Sequence, residues 1–148
     1  QRQMCIRDRV SCESGTFCAD PQILMQVFAV SFLAILFLQS GLDKVFDWKG
    51  NLEFLKGHFA KSILARMVPA SLGIITLVEL AAGLCSAIGV VDILIGHGIC
   101  MAFIGASLSS VALLMLFFGQ RIAKDYAGAG GLVPYFILTL ATLYMLVF

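Results

Sequence analysis

Glu79 is a carboxylate in the middle of an apolar run, and such a position calls for a chemical reason. Across residues 68–91 the only other hydroxyl or charged side chains are Ser71, Thr76 and Ser86. A charged group at the centre of a membrane helix costs about 2.5–3.5 kcal/mol on insertion scales, so it faces a bundle interior with a partner or keeps its proton. Glu79 is therefore a candidate proton acceptor; the plainer reading is a protonated side chain that only ties helices together. Counted from a turn expected at Asp92, at about 1.5 Å per residue, Glu79 lies level with residues 105–107. That makes Ser107, Ser109 and Ser110 candidate partners, with Gln39 and Thr139 on other runs. Cys85 and Cys100 fall at comparable distances on either side of the same turn. Facing inward they would form a disulfide or a dithiol redox pair, although buried cysteines usually act as small hydrophobes. His97, expected about one and a half turns into the next run, is either a proton relay or metal ligand, or an interfacial histidine with its hydrogen bonds met. No second histidine inside an apolar run is there to complete a haem site, and the five cysteines show no metal or redox spacing.

Four apolar runs must position these residues. They cover about 23–42, 68–91, 93–118 and 132–148, the first continuing toward Phe46. Each is long enough to cross a bilayer as a helix and lacks the alternation of a barrel strand. Pro69 suits a first helical turn, and the glycines of 119–131 are expected to interrupt the chain before the last run. The short turns make neighbours antiparallel, which gives an all-α, integral membrane four-helix bundle of up-down topology. Small residues at Ala82, Gly83, Ser86 and Ala87, facing Ala102, Gly105, Ala106, Ser109 and Ser110, predict that the second and third runs form the tightest pair. Between the first two runs, Trp48, Phe54, Leu55 and Phe59 alternate with Lys49, Lys56, Lys61 and Arg66. That pattern suits a short helix in the headgroup region, with a wet loop as the alternative.

Composition agrees with a lipid environment. Of 148 residues, 60% are hydrophobic and 13% charged, and the mean hydropathy is +0.97. Soluble domains average about 25% charged residues, so this chain cannot coat itself for water. A net charge of +1 without a basic tract leaves no footprint for nucleic acid. Lys44, Lys49, Lys56, Lys61, Arg66, Arg121 and Lys124 all fall in connections that share one side. The charge bias puts 43–66 and 119–131 in the cytoplasm, the chain being multi-pass in the inner (cytoplasmic) membrane. Residues 1–21 read differently: they are polar, carry Cys5, Cys12 and Cys18, and have no apolar core of a signal peptide. The string QRQMCIRDR resembles translated sequencing-adaptor sequence, so the native chain is expected to start after about residue 10. The membrane domain is taken as 22–148.

The run FLQSGLDKVFDWKGNLEFLKGHF and the later TLVELAAGLCSAIG, with a short closing span, resemble the DoxX family of four-helix membrane proteins over about 23–148. The most specific pieces are Gly41-x-x-Lys44 and Glu79-x-x-x-Gly83. On their own, Asp43 and Lys44 read as interface anchors that snorkel. The resemblance implies instead that Gly41, Lys44, Glu79 and Gly83 line a shared site, where Lys44 near one face and Glu79 at depth bracket a quinone head group. It also implies a membrane subunit of a quinone- or thiol-linked redox complex. No flavin, haem or iron–sulfur motif is present, so electron transfer would need a partner subunit. Two other functions stay open: a non-enzymatic module binding or moving a small lipophilic ligand, and an assembly partner of another membrane protein.

Overall fold

A computed structural model describes residues 21–59 and 67–148. The leader 1–20 with its three cysteines, and Lys61 and Arg66 of the first connection, lie outside the described residues. Five helices follow in order: α1 (Pro21–Phe46), α2 (Trp48–His58), α3 (Val68–Ile95), α4 (Cys100–Ile122) and α5 (Tyr126–Val147). All but α2 are long and apolar enough to cross a membrane. They run up and down in sequence, so the chain is an α-helical, multi-pass membrane bundle. Around it, large apolar side chains such as Phe28, Ile35, Leu77, Leu94 and Ile137 point outward. In a bilayer they meet acyl chains, and helix association falls to close packing and polar contacts.

The ends of the helices explain where the expected boundaries move. The turn does not fall at Asp92: α3 continues through Ile95 and stops at Gly96, which caps it at φ 79°. The Gly96 and His97 amides bond back to the last turn, His97 to Asp92 at 2.9 Å. Asp92 can stay helical at a membrane surface, whereas a left-handed cap favours a residue without a Cβ. His97 is consequently an exposed turn residue and not part of the next span. The last helix also starts early, at Tyr126. Asp125 caps it, its Oδ1 accepting the Gly128 amide at 2.9 Å, and the glycines that follow remain helical. The cap supplies what the glycines lack in propensity. Pro134 lies inside α5 and takes away the donor for the carbonyl four residues earlier.

α3 is the central helix, packing most extensively on α4 and nearly as much on α1, while α5 closes the bundle chiefly against α4. The α3–α4 seam is the widest contact, as the small residues predict. Gly105 lies so close to α3 that a Cβ there would be 2.6 Å from the Ser86 amide nitrogen. Gly83, expected to serve the same seam, instead faces α1, where a Cβ would sit 2.7 Å from the Leu38 nitrogen. Val30, Leu33 and Phe37 of α1 pack with Ala82, Ala102, Ala106 and Leu113 to fill the core. α2 buries none of its residues. Asp47 caps it by accepting the Gly50 amide at 3.2 Å, and it lies across one end of the bundle as a short amphipathic helix.

Candidate functional site

The α1–α3 seam sets a carboxylate against an ammonium. Gly41 faces Leu80 and Gly83 faces Leu38, and these two close approaches fix the antiparallel register. In that register Glu79 lies level with the last two turns of α1. Lys44 Nζ stands 2.8 Å from Glu79 Oε2 and 3.2 Å from Oε1. Ser40, one turn before Lys44 on the same face, donates its hydroxyl to Glu79 Oε1 at 3.2 Å. The ammonium also donates to Ser40 Oγ at 2.7 Å and to the Ser40 carbonyl at 3.2 Å. Glu79 Oε2 has the ion-pair contact and nothing further. Glu79 has no exposed surface, whereas the Lys44 side chain keeps 19%. The buried carboxylate is thus held by a lysine that reaches in from the membrane surface.

Lys44 is open on its other side to a cavity of about 440 Å³, within the roughly 300–1,000 Å³ typical of small-ligand sites. The cavity lies between α2, the first two turns of α3 and the last two of α4. Phe54, Leu55, Leu72, Ile75 and Leu116 give it apolar walls, and Lys44, Asn51, His58, Ser71, Gln120 and Asp125 are its polar side chains. His58 Nε2 is 3.7 Å from Asp125 Oδ2, which joins α2 to the α4–α5 corner. At that corner Asp125 caps α5, and Lys124 before it adopts a φ of 61°. An apolar chamber with an ammonium at one point of its wall can hold an amphipathic molecule and hydrogen-bond its head.

Several residues expected at this site lie elsewhere. Gly41 and Gly83 belong to the helix seam and not to the cavity wall; they let α1 approach α3 so that Lys44 reaches Glu79. Ser107 does not meet Glu79. Its hydroxyl donates to the Phe103 carbonyl of its own helix at 2.8 Å. Ser109, Ser110 and Thr139 bond back along their own helices in the same way, to Gly105, Ala106 and Tyr135, and Gln39 is exposed. The cause is the displaced turn. Gly105 packs on Ser86, so two turns further along each helix Glu79 lies opposite Ala112, well below Ser107. The same displacement separates Cys85 from Cys100. Cys100 opens α4 and is exposed; the approach of Gly89 to Ala102 sets it level with Val91, so Cys85, six residues earlier on α3, lies about 9 Å deeper. The two free thiols do not share a depth.

Sequence reasoning missed Ser40, His58, Gln120 and Asp125. Ser40 carried a signal, its spacing of four residues from Lys44, which places both on one helix face. The other three come together only because α2 folds back over the ends of α3 and α4. No group of histidine, cysteine and acidic side chains suited to a metal ion occurs among the described residues. Compared with protein-family models, with curated proteins and with solved structures, the chain matches none.

Proposed function

We propose that this chain is the membrane subunit of a quinone-linked redox complex, and that its own task is to hold the quinone head group in the cavity beside Lys44. The single observation behind this reading is Lys44, paired with the buried Glu79, at the wall of a mostly apolar chamber. A quinone carbonyl accepts a hydrogen bond from an ammonium, and its isoprenoid tail suits an apolar chamber that lies among membrane helices. Glu79 holds the lysine pointed inward, and Ser40 accepts from it one turn earlier on the same helix. Electrons come from a partner subunit, since this chain carries no redox motif. The likeness of the Gly41–Lys44 and Glu79–Gly83 motifs to the DoxX family favours the same reading. The thiol-linked variant of it draws no support from Cys85 and Cys100, which lie at different depths. In this reading the cavity end, with Lys49, Lys56, Arg121 and Lys124 around it, faces the cytoplasm from the inner membrane.

The test uses the purified chain in lipid nanodiscs and a short-tailed quinone. The quinone is expected to raise the melting temperature of the wild type by binding the folded state. It should lose most of that effect in Lys44→Met, with Glu79→Gln intermediate. A wild-type protein that shows no shift, or a shift that both variants keep, would leave only a membrane scaffold or an assembly partner.

A further inference from the structure

α2 roofs the cavity with little to hold it there. Asn51, Phe54, Leu55 and His58 line the chamber from its side, yet none of its residues is buried. It packs on α1 and α3 far less than those two helices pack on each other. A single residue, Asp47, joins it to α1, and the Asp47 amide stays bonded to the Asp43 carbonyl at 3.0 Å. That end is tethered, with the Trp48 ring 3.7 Å from where a Gly73 Cβ would stand. The far end rests on the bundle through Phe59, whose ring comes as close to Gly119 of α4, and through His58. A helix so lightly packed opens at small cost.

His58 is the part of that contact that can change charge. Its ring stacks on Phe54 at 5.7 Å and meets Phe59 edge-on at 5.5 Å, with Nε2 3.7 Å from Asp125 Oδ2. Asp125 Oδ1 accepts the Gly128 amide in the α5 cap, which leaves Oδ2 for the histidine. The two side chains keep 29% and 34% of their surface, so water reaches them while they line the chamber. The other charges nearby are engaged or turned away. Lys44 of α1 pairs with Glu79 of α3, the first two turns of α3 carry no charge, and Arg121 of α4 lies over the Tyr126 ring. Lys124 at the corner and Lys49, Glu53 and Lys56 of α2 itself are exposed, and none of them is ion-paired to His58. The α2 dipole favours a positive His58 wherever the helix lies, so Asp125 is what distinguishes the closed position from an open one.

We infer that α2 is a lid over the cavity, latched at its far end by His58 against Asp125, and that the latch tightens when His58 takes up a proton. Charge on His58 favours the closed position. The closed population is therefore largest at the acidic end and falls as pH rises through the range in which histidine loses its proton, about pH 5 to 8. The inference rests on the quinone reading above only for what passes beneath the lid.

The lid is followed in the full chain, in nanodiscs of neutral lipid, by the distance between two spin labels. One sits at Lys56→Cys on α2 and the other on the native Cys100, exposed at the opposite end of the bundle; the other four cysteines are replaced by serine. Raising the pH across that range is expected to populate a longer distance and to lower the ratio of closed to open about threefold, the worth of a half-exposed ion pair. Asp125→Asn, which retains a capping side chain, should lie open at every pH, and His58→Lys should stay closed at every pH. Release of a short-tailed quinone should quicken by the same factor as the lid opens. A wild-type distance that ignores pH, or a pH response that survives in Asp125→Asn, overturns the latch while quinone binding stands. If the lid responds as expected and no quinone binds at any pH, the quinone reading falls and the latch remains. Should a variant fail to fold, the wild-type pH series still decides.

Discussion

Lys44 and Glu79 are unequal partners, because one can retreat to water and the other cannot. Removing one member of a buried ion pair costs about 3–5 kcal/mol when the other is left without compensation. Glu79 is wholly enclosed, so Lys44→Met leaves its carboxylate with only the Ser40 hydroxyl. Lys44 is partly exposed and has a long stem, so in Glu79→Gln it can swing toward the headgroups. Lys44→Met is therefore expected to lower the melting temperature more than Glu79→Gln. The double variant Lys44→Met/Glu79→Gln should be more stable than the sum of the single losses implies. A double-mutant cycle in detergent measures this, and strictly additive effects would mean that the pair is not coupled. Glu79 was legible in the sequence because an acid inside an apolar run cannot be ignored. Its partner was not legible from spacing alone, since Lys44 also fits the simpler role of an interface anchor.

Among the elements, the helix seams set the geometry that the pair depends on. At Gly83 an added methyl would meet the Leu38 backbone, whereas at Gly41 it would meet mainly the Leu80 side chain, which can turn aside. Gly83→Ala is expected to push α1 from α3 and to abolish ligand stabilisation, with Gly41→Ala milder. Gly130 and Gly131 have open space around their Cβ positions and lie inside α5. Replacing either by alanine should stabilise the protein by about 0.5–1 kcal/mol, the usual helix penalty of glycine. Thermal unfolding of the four variants checks the order; a harmful Gly130→Ala together with a harmless Gly83→Ala would contradict these seams. The sequence exposed the small residues but not which neighbour each one serves. That assignment depends on helix rotation, which a stripe of alanines, glycines and serines leaves free. α2 offers its own test through Trp48, the chain's single tryptophan. As a headgroup-level helix it should place Trp48 fluorescence within reach of quenchers attached high on the acyl chain. Stronger quenching from the bilayer centre would contradict that placement.

The whole molecule has two different ends. One gathers α2, the cavity and the α4–α5 corner; the other is the glycine turn between α3 and α4, where Cys100 is exposed. In the orientation proposed above, with the charged end in the cytoplasm, Cys100 is expected to face outward from the cell. A variant retaining only Cys100 among its cysteines should react with a membrane-impermeant maleimide in intact cells. Labelling that appears only after the membrane is opened would reverse the orientation. The bundle leans on α3, and α5 makes its main contact with α4. Local losses in the α1–α3 seam are therefore expected to reach the ligand site more strongly than equal losses at α5.

Hydropathy and run length by themselves determined that this chain is a bundle of membrane-crossing helices, because the cost of backbone polar groups in lipid permits little else. They also singled out Glu79, since a lone carboxyl among apolar residues is costly in any arrangement. Tertiary structure alone decided what lies beside it. The Gly96 cap lengthened α3 by one turn, and that shift moved Ser107, Cys85 and Cys100 out of the register assumed from Asp92. The approach of α1 through Gly41 and Gly83 brought Lys44 and Ser40 to the carboxylate. The return of α2 over the bundle end then made a chamber from residues far apart in the chain. Periodicity fixes which residues a helix can present, but the rotation and offset of neighbouring helices come from side-chain fit, which no single segment encodes.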